Sequence, residues 1–90
     1  MDVIGIVERV EEKVLYKQTG TLENREVQRV VIRNHMKTIR ISFWAEQIKN
    51  LETLNLKKNE FVILLDIKKK KKFYLDFTFE SDLIKLSEKP

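Results

Sequence analysis

Trp44, the only tryptophan among 90 residues, closes a stretch that alternates strictly in polarity. Over residues 37–44, Ile39, Ile41 and Phe43 fall on one side, and Thr38, Arg40, Ser42 and Trp44 on the other. A strand turns successive side chains to opposite faces, so one face belongs against a core and the other stays within reach of water or a ligand. That second face offers an indole, a guanidinium and a hydroxyl, groups that stack on planar rings and bond oxyanions. More chemistry is concentrated downstream, where residues 68–72 are five consecutive lysines. The chain has 18 basic and 14 acidic residues and a net charge of +4, so this one run outweighs the whole excess. A focused positive patch raises the local concentration of a polyanion.

Other chemistries lack their residues. There is no cysteine, hence no disulfide framework and no thiolate zinc site. His35 is alone and cannot build a multi-histidine metal site. Asp66, Asp76 and Glu80 form no acid/base or metal constellation, and no glycine-rich phosphate loop is present. The expectation is a protein that is not an enzyme and needs no cofactor. No apolar run approaches the roughly 20 residues of a spanning helix, and the start lacks a signal-peptide pattern. A soluble, intracellular protein with no membrane association is expected. At 42% apolar and 36% charged residues, the chain reads as one small globular domain over residues 1–90, cut from a longer multidomain protein.

Polarity patterns assign these groups to elements. Residues 2–16 read as one long, bent strand, with Gly5 at a bulge or a close backbone approach. Residues 17–24 are polar and contain Gly20, which predicts a loop. Residues 26–33 form a second strand with Val30 and Ile32 inward. Asn34, His35 and Met36 suffice for a tight turn into residues 37–44, so these two strands pair antiparallel. Ala45, Ile48 and Leu51 have the spacing of one short helical face. Residues 61–65 are apolar on both faces and belong centrally in a sheet. After the lysines, Phe73, Leu75, Phe77 and Phe79 alternate with Tyr74, Asp76 and Thr78. Leu83, Ile84 and Leu86 close the chain in a segment of undetermined type.

Three strands, a short helix and two strands joined by a hairpin are the order of the five-stranded OB-fold Greek-key barrel. The expected fold class is therefore all-β with one short helix. Such barrels bind ligands on strands two and three and on the loops joining strands one to two and four to five. On this template Trp44, Arg40 and Arg33 fall on strands two and three. Tyr16 and Lys17 stand at the mouth of the first loop, and the lysine run forms the second.

These residues resemble a single-stranded-DNA-binding domain of the large subunit of replication protein A, most like its second such domain or a paralogue of it. The matching pieces are Asp-Val-Ile-Gly-Ile-Val at residues 2–7, Asn-Arg-Glu-Val at residues 24–27, residues 37–44 with their closing Phe-Trp, and residues 81–84. The resemblance covers nearly the whole chain. The opening Asp-Val-Ile-Gly and the Phe-Trp pair are fairly specific together, and either alone is a weak signal. The resemblance implies sequence-tolerant binding of single-stranded DNA without catalysis, in replication, repair, recombination or telomere maintenance. It implies other OB-fold subunits or domains of a replication-protein-A-like complex as partners, and a nuclear location in a eukaryote or a cytoplasmic one in an archaeon. It gives Trp44 the role of stacking on a base. Members of the family place a second stacking aromatic in the loop between strands four and five, beside glycines. Here that loop is a shorter run of lysines without glycine. Phe73 shares the inward parity of Leu75 and Phe77, whereas Tyr74 has the outward parity.

The expected site therefore comprises Trp44 and Tyr74 as stacking surfaces, Arg33, Arg40, Lys17, Lys69, Lys70 and Lys71 as phosphate contacts, and Ser42 on the same face. Stacking is worth about 1–3 kcal/mol per base, and each neutralised phosphate adds about −0.7 to the salt slope. Each assignment has a plainer competitor. Trp44 also fits a barrel-end core position, the arginines solvated surface charges, the lysines a solvated turn, Tyr74 an edge-packing ring, and His35 a structural turn residue. Two other functions stay open: a protein-docking module that meets an acidic partner through the lysines, and single-stranded RNA binding, since no residue is identified as reading a 2′-hydroxyl.

Overall fold

The computed structural model describes residues 1–17, 24–71 and 74–86, with Lys17, Lys70, Lys71 and Tyr74 described through their backbone. Its elements are β1 (Val3–Val10), β2 (Val14–Lys17), β3 (Asn24–Arg33), β4 (Thr38–Trp44), a 3-10 turn (Ala45–Gln47), α1 (Ile48–Leu54), β5 (Phe61–Leu65), β6 (Lys68–Lys71), β7 (Tyr74–Phe77) and β8 (Asp82–Leu86). They form one sheet in the order β6-β7-β4-β3-β1-β5-β8, with β2 also paired to β3. No helix among the described residues is long and apolar enough to cross a membrane.

The described residues form eight strands against the expected five: the first expected strand divides into β1 and β2, the expected lysine loop is itself strand β6, and the closing segment of undetermined type is β8. The expected long first strand shifts register between Val7 and Arg9 and leaves the ladder at residues 11–13. Its two parts, β1 and β2, both pair antiparallel with the unbroken β3. In the second half of the sheet β5–β6 and β7–β8 are two runs of strand that break opposite each other. One breaks at Asp66 and Ile67, where Asp66 has φ 56°, and the other at residues 78–81. The Ser81 hydroxyl donates to the Asp66 carbonyl at 2.8 Å and ties the two breaks together. β5–β6 and β7–β8 are thus one two-stranded ribbon with a corner. Its base, β5 and β8, lies beside β1, and its outer half, β6 and β7, lies beside β4, with β7 parallel to β4. The corner curls the sheet back on itself into an OB-like all-β fold.

The start of the chain pins that corner. The Met1 ammonium donates to the Ile67 carbonyl at 2.8 Å, and the Ile67 N–H returns a bond to the Met1 carbonyl at 2.7 Å. The Asp66 N–H donates to Asp2 Oδ1 at 3.0 Å.

Alternation explains the core. Ile39, Ile41 and Phe43 are buried as their parity predicts, and so are Val30 and Ile32 from β3. Phe43 and Phe77 stack with ring centroids 4.5 Å apart. Ile48 and Leu51 of α1 cover one end of this cluster. Ala45 does not share their face: it is exposed, with φ 45°, and turns the chain sharply out of β4. The helix stops at Asn55, whose left-handed backbone suits an Asn and whose N–H reaches the Leu51 carbonyl at 2.9 Å. Gly5 marks a close approach and not a bulge, because a Cβ there would meet the Arg33 carbonyl oxygen at 2.7 Å. The hairpin turn forms as expected, with Asn34 Oδ1 accepting the Met36 and Lys37 N–H groups at 2.8 and 2.9 Å.

Two further expectations need correction. Lys68–Lys71 is not a loop but strand β6, paired with β7 from Lys68↔Asp76 to Lys71↔Tyr74. β6 ends the sheet, and charged side chains on an edge strand discourage pairing with another chain. Phe79 does not continue the inward row of Leu75 and Phe77. β7 stops at Phe77, and Phe79 stands 83% exposed in the corner. Residues 18–23, with Gly20, and Phe73 lie outside the described residues.

Candidate nucleic-acid interface

Strand register assembles a cluster around Trp44 on the outer face of β2, β3 and β4. Trp44 pairs with Val27, and Arg25, two residues from Val27 on β3, shares its face. Tyr16 of β2 pairs with Arg25. The Tyr16 ring consequently meets the indole edge-on, with centroids 5.8 Å apart and planes at 86°. The Arg25 guanidinium lies over the indole at 5.1 Å from its centroid, a cation–π distance. From the other side, the Trp44 Nε1–H donates to Asp76 Oδ1 at 3.3 Å across the β4–β7 pair. Trp44 is half-buried, Tyr16 is 50% exposed, and Arg25 is exposed.

Further along the same face the groups pair among themselves. Arg29 stands opposite Ser42 and donates from Nε to its hydroxyl at 3.2 Å. Ser42 is not on an open surface as its parity suggested: it is 6% exposed, between β3 and the parallel neighbour β7. Its hydroxyl is already engaged by Arg29 and serves structure first. Arg40 is exposed, but both its Nε and a terminal nitrogen donate to Glu11 Oε1, the former at 3.2 Å. Arg9 approaches the other oxygen of Glu11 at 3.4 Å. The hydrogen bond from Arg40 draws the Glu11 carboxyl below its ordinary pKa, against a smaller opposing effect of burial and with help from the charges of Arg40 and Arg9.

The other expected residues are dispersed. Lys69 is exposed on β6 opposite Leu75, and Lys68, which was not among the expected residues, precedes it opposite Asp76. Lys70 and Lys71 follow them in the same strand, and Tyr74 opens β7 opposite Lys71. Lys17 ends β2 opposite Asn24. Arg33 lies at the far end of β3 beside Ile6 and Thr38, six residues beyond Val27, or about 20 Å at the rise of a strand. It does not join the Trp44 cluster.

Sequence reasoning missed Arg25 and gave Tyr16 only a place at a loop mouth. Both belong to the cluster because β2, once separated from β1, pairs with the first half of β3. The signal was the Tyr-Lys before the polar loop and the Asn-Arg after it, which a hairpin brings face to face.

No protein-family model and no curated protein matches the chain. Among solved structures it is similar to the solution NMR structure of a replication factor A related protein from Methanobacterium thermoautotrophicum. The two are 17% identical with a TM-score of 0.70, over 96% of this chain and 79% of the other. At that identity the likeness establishes the shared fold.

Proposed function

We propose that this chain is a non-catalytic module that binds single-stranded DNA by stacking bases and neutralising phosphates. The observation that carries the reading is Trp44: a half-exposed indole on the β3–β4 face of an OB-like sheet, its edge bonded to Asp76 and a guanidinium over its ring. The fold shared with a replication factor A related protein supports it. A single strand presents unstacked bases along a phosphate chain, so its binder needs flat π surfaces bordered by cations. Trp44 and Tyr16 supply the rings. Arg25 covers one face of the indole, so a base stacking there would displace its guanidinium, which is then free to bond a neighbouring phosphate. Lys68, opposite Asp76, extends the positive border, and Arg40 adds to it once Glu11 yields.

Because Trp44 is the sole tryptophan, its fluorescence reports on the site. Titration with oligo-dT quenches it, more strongly at low salt. Absence of both quenching and salt-sensitive binding would refute the reading. Oligo-U in parallel separates DNA from RNA: equal affinity for both assigns the site to single strands in general.

A further inference from the structure

Three cations from three parts of the chain converge at the start of β4. Lys37 closes the β3–β4 turn, Arg40 stands on β4 and Lys69 on β6, and all three are exposed. With Met1, Thr38, Ile39 and Leu75 they line a hollow of about 320 Å³. Register explains the opening. β4 pairs with β7 from Ile41↔Leu75 onward, so Thr38, Ile39 and Arg40 run ahead of the first paired position. There the outward residues Thr38 and Arg40 and the inward residues Ile39 and Leu75 border one space. Ile39, 8% exposed, and the half-buried Leu75 give it an apolar side. No carboxylate is among the described residues that line it. Arg40 is held by Glu11, whereas no ion pair engages Lys37 or Lys69 among the described residues.

This combination has a chemical preference. An apolar wall suits a flat ring or a sugar, and unpaired ammonium groups meet phosphate as point charges. The hollow lies at the lower end of the range of ligand-holding clefts, about 300–1,000 Å³, so its occupant is one small group. Its place on the fold points to the same ligand as the Trp44 cluster. Arg40 and Thr38 share the parity of Trp44 and precede it by four and six residues, about 13 and 20 Å at the rise of a strand. OB folds cover about 4–16 nucleotides, more than Trp44 and Tyr16 can stack, so a bound strand continues past that cluster. Along β4 it meets Arg40 and then the hollow.

We propose that this hollow is a second nucleotide subsite, which seats one nucleotide of a single strand already stacked on Trp44. The base or sugar lies against Ile39 and Leu75, and the flanking phosphates meet Lys37 and Lys69, with the Thr38 hydroxyl at the rim. The inference rests on the single-strand reading above and adds a direction to it: the strand leaves Trp44 along β4 toward the β3–β4 turn.

The test is a length ladder of oligo-dT, from the dinucleotide to the decamer, followed by Trp44 fluorescence and by amide NMR of the whole chain. Circular dichroism confirms that each variant folds. The decamer shifts the amides of Lys37, Thr38 and Arg40, and the dinucleotide leaves them in place. Lys37→Gln weakens decamer binding about fivefold in about 0.1 M salt and lowers its salt slope by about 0.7, the share of one phosphate. Thr38→Glu, which sets a carboxylate at the rim, weakens it at least as much. Neither changes dinucleotide affinity, because Thr38 is about 20 Å from Trp44 and the Debye length at about 0.1 M is about 10 Å. Variants that bind the decamer as wild type does overturn the proposal, and so do variants that weaken dinucleotide and decamer alike. Thymidine monophosphate that shifts the same amides at the concentration of the decamer assigns the hollow to a free nucleotide and equally overturns it. Decamer quenching with the amides of residues 37–40 unmoved refutes the subsite alone. Binding absent at every length refutes the single-strand reading and the subsite with it.

Discussion

The indole N–H of Trp44 is donated to Asp76, a residue 32 positions later, across the parallel pairing of β4 with β7. The bond makes the orientation of the ring depend on the ribbon that closes the sheet. Trp44→Ala should weaken oligo-dT binding by about 1–3 kcal/mol with little change in its salt slope. Asp76→Ala, which keeps the ring but frees its edge, should cost less affinity and lower the steady-state fluorescence anisotropy of Trp44. An Asp76→Ala loss as large as that of Trp44→Ala would show that the carboxylate does more than hold the ring.

Arg25 lies over the indole and faces Tyr16 across the β2–β3 pair. Arg25→Ala should flatten the salt dependence by about one phosphate contact, a change in slope of about 0.7. It should also alter the emission of Trp44 in the free protein, because the cation beside the ring is gone. Binding isotherms at several salt concentrations and a spectrum without ligand check the two effects separately.

Glu11 competes with phosphate for Arg40. Glu11→Gln should tighten oligo-dT binding and steepen its salt slope by up to about 0.7. The same carboxylate stabilises the fold. Its folded pKa lies below the unfolded value, so its contribution is present above the unfolded pKa and is lost as pH falls through the folded one. Arg40 is 56% exposed, which limits the contribution to under about 1 kcal/mol. Denaturant unfolding should therefore show wild type slightly more stable than Glu11→Gln at neutral pH, with the difference vanishing in acid.

Lys68 and Lys69 are exposed on an edge strand. Neutralising both to Gln should reduce the salt slope and leave thermal stability within about 0.5 kcal/mol, as for surface substitutions elsewhere. An unchanged slope would leave the lysines only the role of guarding the edge. An increased tendency to aggregate in the same variant would measure that role.

Gly5 has no space for a Cβ, since the Arg33 carbonyl and the Ile32 side chain both lie 2.7 Å from where it would be. Gly5→Ala should destabilise the domain by about 1–3 kcal/mol, the usual cost of forcing packed strands apart. Chemical denaturation should show a lower midpoint with an unchanged m value, since the area exposed on unfolding stays the same.

The parts of the fold that could be read in advance are those where side-chain parity does the work. Ile39, Ile41 and Phe43 alternate, and a slip of one residue would expose all three, so their strand had one admissible register. The lysine run has no such alternation. Its extended backbone is dictated by the Tyr-Leu-Asp-Phe strand beside it, a partner the run itself does not specify. Ser42 shows the same limit within the site. Its parity is that of Arg40 and Trp44, and its burial comes from β7, which pairs with β4 from more than thirty residues away. The cluster of Tyr16, Arg25 and Trp44 was hidden for a related reason. The break after Val10 frees β2 to reset its pairing, and pairing decides which side chains meet. The outward row of β5 was legible as apolar, but not that it would be only half-buried among the described residues.

The corner pinned by Met1 has a kinetic consequence. β3 and β4 are joined by a short turn and can pair early, because little loop entropy opposes contacts that are close in sequence. Joining Met1 to Ile67 brings together residues 66 apart, and joining β4 to β7 residues 34 apart. Closure should therefore be the slow, high-contact-order step of folding, visible as a late phase in stopped-flow Trp44 fluorescence. Until it is complete, Asp76 is absent from beside the indole, so the environment of Trp44 becomes native only when the last strands arrive.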